Sequence, residues 1–176
     1  MLRTDQFVRS SQWKRLRNLE KQKVDHASEY YKKEKRKLVD ELTKVDKQNT
    51  AKIKKIIARY GWPGENLVGK KGSRSAWLIV QHATHNLKFQ KRCLKLLKVA
   101  VEKGEADKKY LAYLTDRTLV QENKKQIYGT QFKGKSDGKS EPFPIKDLRK
   151  LMILRREAGL ESFSKYKKRM RMLNLR

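Results

Sequence analysis

Between residues 4 and 59 this chain has neither glycine nor proline, and that restricts what its first third can become. Gly and Pro are the residues that end or kink helices. The segment is instead dense in Lys, Arg, Glu, Gln and Leu, which favour helix. Apolar residues recur at Leu38, Leu42, Val45, Ile53, Ile56, Ile57 and Tyr60, a helical stripe. Asp46, Asn49 and Thr50 are capping types and predict a break near 46–50. One unbroken helix would be about 80 Å long at 1.5 Å per residue, so a hairpin or bent helix is expected. Phe7, Trp13, Leu16 and Leu19 are placed on one face of the first helix. The almost wholly charged run at 32–37 is expected to project into solvent as an arm.

The rest of the chain is punctuated. Gly61-Trp62-Pro63-Gly64 is a strong helix stop. Ser73 is predicted to cap the next helix, with Ala76, Trp77, Val80 and Ala83 on one face. A second stripe runs through Phe89, Cys93, Leu96, Leu97 and Ala100 to Gly104, and Asp107 starts a helix carrying Tyr110, Leu111 and Leu114. Residues 118–120 and 126–132 read as extended and are expected to pair as a hairpin. Residues 134–144 are a loop by composition. Two helices follow, one with Leu148, Leu151, Met152 and Arg155 in its stripe, the other with Phe163, Tyr166, Met170 and Leu173. The predicted fold is mainly α, one domain with at most a small β-hairpin. Its parts are a basic helical region (1–59), a motif-bearing core (60–132), a loop (133–144) and C-terminal basic helices (145–176).

The net charge of +27 comes from 46 Lys+Arg against 19 Asp+Glu, and the excess is spread over all three thirds of the chain. Such a field attracts RNA, DNA, acidic protein or an anionic membrane; charge kept for solubility alone is the plainer explanation. Trp13, Tyr30, Tyr31 and Tyr166 are candidate stacking groups for nucleic acid. The last helix, where Met and Leu alternate with Arg, suits a membrane surface. Cys93 is the only cysteine, which rules out an intrachain disulfide and a thiolate metal cluster. The N-terminus has no apolar run of the signal-peptide kind. The longest apolar stretch, 76–80, is far short of the about 20 residues a spanning helix needs. A soluble cytoplasmic protein is expected.

Polar residues cluster where packing alone does not require them. His82, Asp116, Arg117 and Gln131 are the candidate catalytic residues, and Gln81, Gln126, Tyr128 and Thr130 the candidate ligand contacts. His82 titrates near neutrality and suits acid, base or ligand roles, although a helix histidine bonded in the core has the same appearance. Asp116 and Arg117 can orient a substrate, Arg gripping phosphate or carboxylate as a fork; an ion pair or helix-end cap explains them too. Gln126 and Tyr128 share one side of a strand, and Gln131 joins them only if Gly129 kinks it. His82 and His85 are three apart without a nearby carboxylate, so no metal site is assigned. Residues 68–73 (VGKKGS) resemble an anion-binding helix start but lack the full P-loop pattern. No cofactor is named by any motif.

Taken together, Gly61-Trp62-Pro63, Val68-Gly69, Gln81-His82-Ala83, Phe89-Gln90, Asp116-Arg117 and the Gln126–Gln131 segment QIYGTQ are similar to a bacterial family of unknown function. That family carries a GWP turn, a QHA helix, an Asp-Arg pair and a YGTQ segment. The resemblance spans most of the chain apart from the charged insertion at about 14–44. It implies a shared domain and site without a reaction. After the QHA triplet the family usually has acidic residues, whereas this chain has Thr84 and Asn86 with His85 between them. A step that depends on those carboxylates would be lost or altered here. Two functions follow: a polar pocket for a small anionic or phosphate-bearing ligand, with the eight candidate residues converging on a cleft, or nucleic-acid binding through the basic surface. Oligomeric state is left open.

Overall fold

The computed structural model describes residues 11, 14–16, 18–19, 28–134 and 140–174. Phe7, Trp13 and the Leu173 side chain lie outside the described residues. The chain is mainly α with one small antiparallel hairpin. Helix α1 runs Glu29–Tyr60, 32 residues, or about 48 Å at 1.5 Å per residue. Ser28 caps it, its Oγ accepting the Tyr31 N–H at 3.3 Å, and Gly61 ends it in the left-handed region (φ +74°) that glycine adopts without strain.

The break expected at 46–50 does not occur. Asn49 and Thr50 are buried inside α1, and Thr50 Oγ1 donates to the Asp46 carbonyl at 2.7 Å. A hydroxyl satisfied one turn back removes the reason for a polar residue to leave the helix. The buried face of α1 splits between two cores. Leu38 and Leu42 join Tyr31, Leu16 and Leu19 in a small cluster at one end, while Ile53 and Ile57 enter the main core at the other.

The main core is built by α1 with α2 (Glu65–His82), α3 (Leu87–Glu102) and α4 (Lys108–Gln121). Ser73 is not a cap: α2 starts at Glu65, with a kink at Gly69, and Ser73 is buried within it. Asn86 and Asp107 cap α3 and α4, accepting from the Phe89 and Lys109 N–H groups at 3.0 and 2.9 Å. Cys93 packs in the core as a small apolar residue, and burial pushes its thiol up to about 12. Gln90 is fully buried and donates through Nε2 to the carbonyls of Val80 and Gln81 at 2.8 and 3.2 Å, while its Oε1 accepts from Gln121 at 2.6 Å. The last carbonyls of a helix have no partner within it. Gln90 thus closes the end of α2 and ties it to α4.

Strands β1 (Phe132–Gly134) and β2 (Ser140–Pro142) pair antiparallel, Phe132 opposite Pro142 and Gly134 opposite Ser140. The hairpin therefore lies later than expected, and residues 118–120 belong to α4. Burial of Leu114, Asp116 and Thr118 along α4 outweighs the strand preference of Thr118 and Val120. Helix α5 (Leu148–Glu157) and helix α6 (Phe163–Asn174) complete the chain. No helix of the described residues is long and apolar enough to cross a membrane.

Candidate functional site

The segment from Gln126 to Gln131 has few backbone partners in regular structure, so its polar groups must be satisfied by side chains. The donors point at Asp116. Its carboxylate, fully buried in the last half of α4, accepts the N–H groups of Ile127 (2.7 Å), Tyr128 (3.0 Å) and Thr130 (2.9 Å), and the Thr130 hydroxyl at 2.9 Å. Burial raises the Asp116 pKa above the usual carboxylate value, against the downward pull of those same donors.

The acceptors of the segment point the other way. Arg155, 1% exposed, donates through Nη1 to the carbonyls of Tyr128 (2.5 Å) and Gly129 (3.4 Å) and through Nε to Glu161 at 2.8 Å. Its guanidinium lies 5.1 Å from the Tyr166 ring centre and 5.7 Å from that of Phe163, contacts that favour a cation. Burial pulls the Arg155 pKa down, offset by Tyr113, Tyr166, Glu161 and Asp116. The Tyr166 hydroxyl donates to the Thr130 carbonyl at 3.0 Å. The loop is thus held between a buried carboxylate that gathers its N–H groups and a buried guanidinium that gathers its carbonyls.

Gln126 locks the ends together. Its Oε1 accepts the Gln131 N–H at 2.9 Å, and its Nε2 donates to the Gln131 and Phe143 carbonyls at 3.1 and 2.8 Å. Gln131 Nε2 reaches the Thr130 hydroxyl at 2.9 Å. Gly129 has φ +65°, and a Cβ there would sit 2.8 Å from Phe163 Cε2. Gly129→Ala is therefore expected to cost at least about 1–3 kcal/mol in a urea titration. A loss below 0.5 kcal/mol, on the order of a neutral surface change, would mean the loop shape is not fixed there.

The eight candidate residues divide. Asp116, Gln126, Thr130 and Gln131, with the Tyr128 backbone, form this interlocked unit. The Tyr128 phenol is half-buried, its pKa raised by burial and by the charges of Asp116 and Glu157. Gln81 and His82 close α2, Gln81 buried and His82 half-buried, and half-buried Arg117 follows Asp116 on α4. His85 is exposed, its pKa lowered by partial burial and by Lys47 and Lys54. No group of three or more His, Cys, Asp or Glu suited to a metal occurs among the described residues. Two open hollows on α1 are lined by none of the eight. Arg155 is the residue the pattern of candidates missed. The expected stripe is only partly buried: Leu148 and Met152 are exposed, and Arg155 shares the inner face of α5 with Leu151 alone, one turn back, where a charge is costly unless it is paired.

A family model described as a family of unknown function (DUF6624) matches residues 18–174. The chain belongs to this family. No curated protein and no solved structure matches it. Membership in DUF6624 thus brings no reaction with it, and function must be argued from surfaces and unsatisfied groups.

Proposed function

We propose that this DUF6624 protein binds a polyanion, nucleic acid being the class that fits, along the exposed face of α1. One observation carries the reading. Exposed Lys33, Arg36, Lys37, Lys44, Lys47, Lys54, Lys55 and Arg59 fall within one sector of the helix at about 100° per residue, opposite the buried Tyr31, Leu38, Leu42, Asn49 and Ile53. Asp40 and half-buried Glu41 interrupt the track. From Lys33 to Arg59 the cations extend over about 40 Å. That length suits a rod of phosphates, and cations aligned on a rigid helix lose little freedom when they meet it.

The test is binding of a labelled 20-mer between 50 and 200 mM salt. With about six phosphates neutralised, log K is expected to fall against log salt with a slope of about −4 to −5. Lys33→Glu, Lys37→Glu and Lys44→Glu together are expected to weaken binding by about a hundredfold or more and to flatten the slope. A triple variant that binds as well as the parent, or binding to anionic vesicles in place of nucleic acid, sinks the proposal.

A small-anion site on α2 around Trp77 and Gln81 is a second reading, favoured by a different observation. Trp62 Nε1, Ser73 Oγ, Trp77 Nε1 and Gln81 Oε1 are buried without a hydrogen-bond partner among the described residues. Ser73, Trp77 and Gln81 recur at i, i+4 and i+8, on one strip of α2. Trp77 stacks on Tyr110 with ring centres 4.4 Å apart and meets Tyr113 edge-on at 5.8 Å, so the strip faces α4, where Arg117 stands one turn past Tyr113. Each such group left bare costs about 1–3 kcal/mol, and a guest that accepts from the Trp77 indole and donates to Gln81, one turn on, removes that cost there. Hydrogen phosphate has this chemistry. Titrating inorganic phosphate is expected to raise the melting temperature, with the increase lost in Gln81→Leu. A melting temperature indifferent to phosphate removes this reading.

A further inference from the structure

The face of α1 offers more than charge, and we infer that it selects single-stranded over duplex nucleic acid by seating an unpaired base on Tyr30. This rests on the polyanion reading above. Tyr30 is 63% exposed and lies at the start of the cation track, three residues before Lys33 and so on the same side of the helix. It lines a hollow of about 260 Å³ with Arg15, Asn18, Leu19, Glu34 and Leu38. Leu19 and Leu38 belong to the small buried cluster and give that hollow an apolar floor. The Asn18 amide supplies a donor and an acceptor at its edge, the pair a base edge can meet.

A larger open hollow of about 500 Å³ is lined by Lys33, Arg36, Lys37, Asp40, Glu41 and Lys44. The two sets of residues interleave along consecutive turns of α1, so a base on Tyr30 brings its phosphate within about one 5.4 Å turn of Lys33. Of the acids present, Glu41 is turned to Arg15 at 3.6 Å, which reduces its repulsion of phosphate. An apolar-floored aromatic step beside a cationic one is the alternation that a single strand presents: π-face, then phosphate.

A duplex makes fewer contacts with the same surface. Its bases are stacked on one another and offer no free face to Tyr30. Its phosphates follow curved strands, whereas α1 is one helix from Glu29 to Tyr60. A duplex can meet the track only through charge, while a single strand follows it and adds stacking.

The experiment uses the full chain with labelled dT20, rU20 and a 20-base-pair duplex at fixed salt. The single strands are expected to bind about tenfold or more tighter than the duplex, in line with the gain from stacking one base. Tyr30→Ala is expected to remove most of that preference, and Tyr30→Phe, which keeps the ring, to retain it. Equal affinity for strand and duplex, or a preference that survives Tyr30→Ala, overturns this inference. If the Lys33, Lys37 and Lys44 reversals still weaken both ligands, the polyanion reading stands without it. If no nucleic acid binds in a salt-dependent way, both fall.

Discussion

Asp116→Ala is expected to unfold the motif loop and destabilise the protein by about 3–5 kcal/mol, the scale for removing one partner of a buried charge system. The reason is the number of groups left behind. The N–H groups of Ile127, Tyr128 and Thr130 and the Thr130 hydroxyl all end on this carboxylate, and each buried donor without an acceptor costs about 1–3 kcal/mol before relaxation. Chemical denaturation measures it directly, and a loss under about 1 kcal/mol would show that water or the neighbouring loop replaces the acceptor.

Titration adds an independent check of sign. Burial raises the Asp116 pKa in the fold, so the native state holds its proton at pH values where the unfolded chain, near the ordinary value of about 3.9, has released it. Stability is then expected to fall as pH rises from the unfolded value through the folded one, and to be level beyond it. Asp116→Asn is expected to abolish that slope. A stability that instead climbs with pH over the same window, with the climb lost in Asp116→Asn, would mean the donors outweigh burial and hold the carboxylate low.

Arg155→Met is expected to cost about 2–4 kcal/mol, since hydrogen bonds to a charged group each contribute about 1.5–3 kcal/mol. Two effects oppose one another. Removing the guanidinium leaves the carbonyls of Tyr128, Gly129 and Glu161 without their donor. It also removes Nη2, which is buried without a partner among the described residues, and an apolar chain between the Phe163 and Tyr166 rings recovers that part of the cost. Three acceptors lost against one donor relieved leaves a net destabilisation. Arg155→Lys should fall between, keeping the charge but not the fork. If Arg155→Met is neutral or stabilising, the cation is incidental to the loop. Combined with Asp116→Ala, the loss is expected to be less than additive by about 1–3 kcal/mol, because either change alone releases the same loop.

The helices were legible because their signals are local. The absence of Gly and Pro before Gly61, the GWP stop and the helix start at Asp107 act over a few residues and recur in the structure. The expected break at 46–50 failed for the opposite reason. Asp46, Asn49 and Thr50 look like caps in isolation, yet Thr50 bonds one turn back and Asn49 is buried. Thr118–Val120 likewise carries strand propensity that burial along α4 overrules. The candidate residues were visible as a set, because polar groups packed into an apolar context stand out. Their arrangement was not: whether Asp116 faces a ligand or three backbone N–H groups depends on a loop ten residues away.

From the sequence alone come the helical class, several helix ends such as the stop at Gly61 and the start at Asp107, and the excess of positive charge, all set by composition and by neighbours within about one turn. Tertiary structure decided the rest. It put Arg155, 39 positions after Asp116 in the numbering, across the same loop from it, and it kept α1 unbroken so that its cations share one face. The first is a long-range outcome, because a buried charge is tolerated only where groups distant in sequence meet it, and a local pattern cannot state which ones will.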